Sequence, residues 1–246
     1  MSIPKIIHYC WFGGGPISEA DRKCMESWKK YCPDYKIIEW NEQNFEISAN
    51  RYAQQAYEAK RYAFVSDYVR LAVLYEYGGI YLDTDVELVR PLDELLELPG
   101  FMGFQTNNEV ATGLGFGARK GNSVVQALLR DYDALDFLKA DGSADLTPCP
   151  ERNTRVLQAL GVRKDGTRQS IAEMEIFPAE YFCPMDLYSR KLRVTPKTYS
   201  IHRYAESWKP KPSAVSRILQ RLLKKHYYTW YCPLRGRIEG RLRKRT

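Results

Sequence analysis

Two aspartates one residue apart, Asp83 and Asp85 in GGIYLDTDVEL (residues 78–88), are the residues of this chain best placed to do chemistry. Two carboxylates converging at the end of an apolar strand repel each other and lose hydration, and a divalent cation relieves both costs. The spacing alone is cheap, since the chain carries a second copy, Asp131-Tyr132-Asp133. Secondary structure separates the two pairs. In a strand residues i and i+2 point the same way, so Asp83 and Asp85 are expected on one face of the strand IYLDTDVELV. On a helix the second pair lies about 200° apart and cannot share an ion, so it reads as solvated surface.

Three further groups stand near in type or position. Asp67 and Arg70 are i, i+3 neighbours ahead of the acidic strand, where they meet on one helix face, at the least as a surface ion pair. HYCWFGGG (residues 8–15) places Trp11 at a strand end beside glycines, either as core packing or as a stacking platform that backbone can approach closely. It lacks the G-x-x-x-x-G-K-[ST] of a P-loop. The histidines are His8, His202 and His226, and a lone histidine is commonly structural.

The elements that must position these groups alternate. PKIIHYCWFGG reads as a buried strand and glycine loop. SEADRKCMESWKKYCPD reads as a helix capped by Ser18 and stopped by Pro33, and YKIIEWN as a strand. Residues 51–77 read as helical, with Ser66-Asp67 as a fresh cap, before Gly78-Gly79 and the acidic strand. FMGFQT and GLGFGA are further strands, SVVQALLRDYDAL and NTRVLQALG helices, and EIFPAEYF an extended piece. This order predicts an α/β fold with a mainly parallel sheet flanked by helices, whose ligands bind beyond the carboxyl ends of the strands.

The whole chain narrows the function classes. Its 246 residues and 44% apolar content fit one large α/β domain with an appendage. No stretch reaches the roughly 18 apolar residues of a membrane span, and the N-terminal run is too short and aromatic for a signal peptide. Six scattered cysteines without a C-x-x-C pair suggest reduced thiols in a cytoplasmic protein. The net charge of +7 is uneven: residues 209–246 hold twelve Lys/Arg against Glu239 alone, so residues 1–208 are mildly acidic. Positive charge confined to a tail, with no RRM, KH, zinc-finger or helix-turn-helix signature, argues against a nucleic-acid partner.

SDYVRLAVLYEYGGIYLDTD (residues 66–85) resembles the DXD-containing sugar-binding region of family 32 glycosyltransferases. That group includes bacterial capsule enzymes and yeast initiating mannosyltransferases, and clostridial glucosylating toxins share a similar core. IPKIIHYCWFGG, SWKKYCPDYKIIEWNE and HRYAESW extend the resemblance over residues 3–208. It implies a GT-A type, Rossmann-like fold and a nucleotide-sugar donor, with UDP-galactose or another UDP-hexose favoured. It also implies Mn²⁺ or Mg²⁺, and retention of anomeric configuration. In this frame Asp85 binds the ion and Asp83 a ribose or sugar hydroxyl and an ion-bound water. Asp67, Arg70 and Tyr81 belong to the donor site, Arg70 also serving catalysis. Trp11 stacks on uracil with His8 beside it, and Ser207 and Trp208 lie near the diphosphate. His202 is the expected third metal ligand, although Arg203 stands where the family commonly carries a second histidine. The competing reading is a non-catalytic binding protein.

The appendage carries its own pattern. Val215, Ile218, Leu219, Leu222 and Leu223 form one apolar stripe, with Arg217, Arg221, Lys224 and Lys225 opposite and Tyr227, Tyr228, Trp230 and Tyr231 following. These features describe a helix lying in an anionic membrane surface. The expected organisation is therefore a transferase domain over 1–208 and an interfacial tail over 209–246, peripheral on the inner face of the membrane, where a lipid-linked saccharide acceptor is met. The alternative is a terminal helix docked on the domain.

Overall fold

A computed structural model describes residues 2–186 and 189–205. The apolar run Ile6–Cys10 forms β1, and the loop after it turns through Gly13 and Gly14 at φ 88° and 64°. A side chain on Gly13 would start 2.2 Å from the Tyr62 ring, so the turn requires glycine for space as well as for conformation. Helix α1 (Glu19–Tyr31) begins where Ser18 Oγ accepts the Asp21 N–H at 3.1 Å and gives way at Cys32, just before Pro33. Its Trp28 is fully buried and donates Nε1–H to the Val86 carbonyl at 2.7 Å, which ties the helix to the acidic segment. Strand β2 (Lys36–Trp40) follows.

Residues 51–77 form two helices, α2 (Arg51–Glu58) and α3 (Tyr62–Tyr77). The break is a Schellman end: Lys60 sits at φ 55°, its N–H donates to Tyr57 O, and the Arg61 N–H donates to Ala56 O. Ser66 and Asp67 therefore lie inside α3 and do not cap a fresh helix. The remaining elements are β3 (Gly79–Tyr81), β4 (Val86–Leu88), β5 (Gly100–Phe104), β6 (Val110–Ala111), β7 (Phe116–Ala118), α4 (Ser123–Asp133), α5 (Cys149–Ala159), β8 (Gln169–Ile171), β9 (Met174–Phe177), α6 (Ala179–Phe182) and β10 (Ser200–His202).

The main sheet runs β2-β1-β3-β7-β5-β9-β8, with β6 paired to β5. The β1–β2, β1–β3 and β5–β9 pairings are parallel, and β7 is antiparallel to both β3 and β5. Strands β2, β1, β3, β5 and β9 thus all point one way, which makes the sheet mixed but mainly parallel. Side chains alternate across it. Ile7, Ile80 and Phe101 pack with Trp28 of α1 and Phe182 of α6. Tyr81, Met102 and Phe116 pack with Tyr52, Val69, Leu128 and Leu157 of α2 to α5. Burial on both faces explains why these strands read as continuous apolar runs. The result is an α/β fold with a mainly parallel sheet flanked by helices, as expected. Among the described residues no helix is long and apolar enough to cross a membrane.

The segment IYLDTDVELV is not one strand. β3 ends at Tyr81, and β4 leaves the main sheet to pair antiparallel with β10 in a small second sheet. Asp83 and Asp85 lie in the turn between them, at the carboxyl end of β3.

Candidate active site

The turn replaces the strand periodicity expected to align the two carboxylates. The Val86 N–H donates to the Asp83 carbonyl at 3.0 Å and closes the turn. Pairing of β10 with β4 sets His202 opposite Val86, and its Nε2 comes 3.2 Å from Asp85 Oδ1. One ligand atom from each of Asp83, Asp85 and His202 lies within 4.8 Å of the others. The three predicted metal ligands therefore converge from two sequence regions more than a hundred residues apart.

Each aspartate has one oxygen held by groups outside the three-residue cluster. Asp83 Oδ1 accepts from Tyr81 Oη at 2.9 Å and from Arg70 Nη2 at 3.1 Å. Asp85 Oδ2 accepts the Ala205 N–H at 2.7 Å. This leaves Asp83 Oδ2 beside Gly113 and Asp85 Oδ1 facing His202. Burial pushes the Asp83 carboxyl up, Arg70 draws it down and the Asp85 charge adds to the rise, so that it stands above the usual range. For Asp85 burial also opposes ionisation, but the charge and hydrogen bond of His202 outweigh it and hold the carboxyl below the usual range. His202 moves the other way: burial disfavours its proton, yet Asp85 raises it. His202 Nδ1 is buried with no hydrogen-bond partner among the described residues.

Arg70 is more than the surface partner its spacing implies. Its side chain is 5% exposed, with Nη1 3.2 Å from Asp67 Oδ1, Nε on the Ser66 carbonyl and the guanidinium 4.9 Å from the Tyr81 ring centre. Burial opposes the charge, but Asp83, Tyr81 and Asp67 outweigh burial and raise Arg70 well above its ordinary value. Asp67 is pushed up to about 6, first by burial, against the pull of Arg70 and with the push of Asp83. Tyr81 is 1% exposed, and both residues turn their polar atoms onto the aspartates and the surrounding protein.

His8 lies within β1. It is fully buried, with Nε2 2.9 Å from the Gly78 carbonyl and Nδ1 accepting Trp40 Nε1–H at 3.0 Å. Both ring nitrogens are engaged in the core, and burial lowers its pKa to about 4. Trp11 does sit in the loop after β1, half-buried, its Nε1–H donating to Gly15 O at 2.6 Å. Ser207, Trp208 and the tail lie outside the described residues. The second acidic pair behaves as separate side chains on the surface, as expected: Asp131 pairs with the exposed Arg155 at 2.9 Å, and the exposed Asp133 accepts from Asn50 Nδ2 at 3.2 Å. The five described cysteines are free and buried.

Four site residues escaped sequence reasoning. The one-turn 3₁₀ helix Thr112–Leu114 lies against the turn, and the Asp83 N–H points to the Gly113 carbonyl at 3.4 Å. Thr112 Oγ1 and Cys149 Sγ lie 3.5 and 3.6 Å from Arg70 Nη1, and Asn153 Nδ2 donates to Thr112 at 3.1 Å. Cys149 and Asn153 are one helical turn apart at the start of α5, announced by Pro148-Cys149-Pro150, but nothing local says which way they face.

Comparison with known proteins converges on the same segment. Residues 18–101 match the family model described as glycosyltransferase sugar-binding region containing DXD motif. Inositol phosphoceramide mannosyltransferase 3 of Schizosaccharomyces pombe is 31% identical over 144 residues, covering 55% of this chain and 39% of that protein. An uncharacterized glycosyltransferase of Acanthamoeba polyphaga mimivirus is 25% identical over 219 residues, covering 85% and 84%. The solved PaToxG glycosyltransferase aligns over 64% of this chain and 69% of its own, with 21% identity and a TM-score of 0.47, too low to carry weight. The chain spans well under half the length of these yeast relatives, 39% of the fission-yeast protein and 27% of mannosyl phosphorylinositol ceramide synthase SUR1 of Saccharomyces cerevisiae, which is 34% identical over 41% of this chain. Asp67, Arg70, Asp83 and Asp85 all lie within the segment that matches the DXD-containing sugar-binding region of glycosyltransferases.

Proposed function

We propose that this chain is a metal-dependent, retaining hexosyltransferase. Its substrates are a nucleotide sugar and a lipid-borne saccharide acceptor, and its role is in surface or capsular polysaccharide assembly. The observation that carries the reading is the convergence of Asp83, Asp85 and His202 on one point, above a buried Asp67–Arg70 clamp. Two carboxylates suit Mn²⁺ or Mg²⁺, and the imidazole favours the transition metal. Asp85, Asp83 and His202 would hold the ion. Bound there, it would act as a Lewis acid on a donor diphosphate.

The protein's own part is positional. Arg70 and Tyr81 fix Asp83 through Oδ1, so Oδ2 is presented to a ribose or sugar hydroxyl or to an ion-bound water. The Ala205 N–H fixes Asp85 through Oδ2 and aims Oδ1 inward. Asp67 and Asp83 are both engaged with Arg70, which argues against either as a covalent nucleophile. In retention without one, the leaving phosphate oxygen accepts the acceptor's proton on the same face of the sugar.

Trp11, beside the glycine loop, is the proposed platform for the base of a UDP-hexose, and Ser207 and Trp208 the neighbours of the diphosphate. The names of the yeast relatives record mannosyl transfer to inositol phosphoceramide, which supports a lipid-borne acceptor and makes GDP-mannose the donor to test beside UDP-galactose. A lipid acceptor in turn suits a peripheral position on the cytoplasmic leaflet, with residues 209–246 as the interfacial segment.

The test is hydrolysis of a panel of nucleotide sugars with Mn²⁺ and in excess EDTA, by the wild type and Asp85→Asn. One donor is expected to be hydrolysed only with metal, and the variant to be inactive yet folded. Wild-type turnover in EDTA, or near wild-type activity in Asp85→Asn, would remove the metal assignment.

A further inference from the structure

The edge of the fold next to His202 carries a basic hairpin that the transferase reading does not use. Met185 and Leu192 form an antiparallel bridge, the Asp186 N–H donates to Lys191 O at 3.0 Å, and the Arg193 N–H donates to Pro184 O at 3.0 Å. The Asp186 carboxylate is consumed locally, accepting Ser189 N–H and Oγ–H at 2.7 and 2.8 Å. Residues 189–194, SRKLRV, are all exposed. Two of the five exposed large apolar side chains among the described residues fall here, Leu192 at 39% and Val194 at 51%. Between and before them stand Lys191 and Arg193, whose side chains have no ion pair or hydrogen bond among the described residues, and Arg190.

The hairpin is one ring away from the site. The Arg190 guanidinium lies 4.9 Å from the centre of the Tyr204 ring, and that ring is 4.3 Å from His202 in edge contact. Tyr204 is itself anchored, its hydroxyl 2.8 Å from Cys183 Sγ. An element exposing aliphatic side chains between unpaired cations costs hydration of the apolar groups and self-repulsion of the charged ones. An anionic lipid surface removes both costs at once, because the aliphatic groups enter the acyl boundary while the cations meet headgroup phosphates. A soluble acidic partner would answer the cations but has no stated need for Leu192 and Val194.

We infer that residues 189–194 are a membrane-contact element, which docks on an anionic leaflet and presents the edge of the Asp83–Asp85–His202 site to acceptors held there. The inference rests on the transferase reading for its purpose, but is tested apart from it, with the tail the same in every variant compared.

The full chain is sedimented with vesicles of phosphatidylcholine alone and of an equimolar mixture with phosphatidylserine, at low salt. Wild type, Lys191→Glu/Arg193→Glu and Leu192→Ser/Val194→Ser are compared, each with its thermal midpoint and its metal-dependent donor hydrolysis. Wild type is expected to bind only the anionic vesicles. The charge variant should partition at least about tenfold more weakly, since each basic side chain near such a surface contributes about fivefold. The apolar variant should lose several-fold, with hydrolysis unchanged in both. Partitioning within about twofold of wild type in either variant would overturn the inference, as would equal binding to neutral vesicles. If a double variant melts early, the single substitution Arg193→Glu or Val194→Ser takes its place. Absence of donor hydrolysis in the wild type would sink the transferase reading and leave the vesicle result to decide the hairpin.

Discussion

Arg70 Nη2 donates to Asp83 Oδ1 at 3.1 Å from a side chain that is almost wholly buried. Because the same guanidinium also meets Asp67, one cation neutralises two carboxylates beneath the cluster. Replacing it by Met leaves Asp67 and the partly exposed Asp83, which keeps its Tyr81 bond, without their cation, and such a loss costs at most about 3 to 5 kcal/mol. Lysine restores charge but not the planar fork that reaches both acids. Arg70→Met is expected to lower stability by up to that amount and abolish donor hydrolysis, with Arg70→Lys between. Urea unfolding of the two variants checks this, and equal midpoints to wild type would mean the clamp does not bind as described.

Asp67 shows a cost carried for function. Its pKa of about 6 lies above that of an unfolded aspartate, so the folded state disfavours the ionised form even with Arg70 beside it. The sign follows: the penalty is full above pH 6 and fades as pH falls toward the unfolded value. Asp67→Asn should therefore stabilise the protein by as much as about 3 kcal/mol near neutral pH, with the gain vanishing near about pH 4. Donor hydrolysis should fall in the same variant. Denaturant midpoints at the two pH values decide it, and a variant less stable than wild type at neutral pH contradicts the assignment.

How much of this was legible before the structure depends on how local each signal is. The Ser18 cap, the Pro33 stop and the i, i+3 pairing of Asp67 with Arg70 are short-range, and the structure has them. The acidic pair was found by type and spacing, but for an incomplete reason: a turn between two sheets aligns the carboxylates where strand periodicity was expected to do so. The place of His8 between Gly78 and Trp40 is not legible from its residue type, because strand pairing and a side chain 32 residues away set it. Gly113, Cys149 and Asn153 reach the site only through long-range closure of the sheet and α5, and no periodicity encodes which way they face.

Gly113 gives the sharpest steric test. A Cβ there would stand 2.1 Å from Asp83 Oδ2, and that carboxylate cannot simply rotate away while Oδ1 holds Arg70 and Tyr81. Gly113→Ala is expected to displace Asp83, weaken Mn²⁺ binding at least about tenfold and abolish turnover, while stability falls by only about 1 kcal/mol. Calorimetric titration with Mn²⁺ alone measures the first effect without a donor. Unchanged Mn²⁺ affinity would show that Asp83 Oδ2 takes no part in holding the ion.

Trp11 tests the nucleotide end of the site. The indole is half-buried at the end of β1, held by its bond to Gly15 O, in a loop whose glycines leave backbone accessible. If a base stacks there, Trp11→Ala removes an aromatic face worth roughly 1 to 3 kcal/mol of binding. Trp11→Phe, which keeps a smaller face, should recover part of it. Affinity for UDP should fall in that order while the thermal midpoint moves little, because the rest of the loop is tied by the Trp11 N–H to Trp40 O bond, which either variant retains. Unchanged UDP affinity with a lowered midpoint would instead make Trp11 a packing residue, and the base would then have to be sought elsewhere along the carboxyl edge of β1.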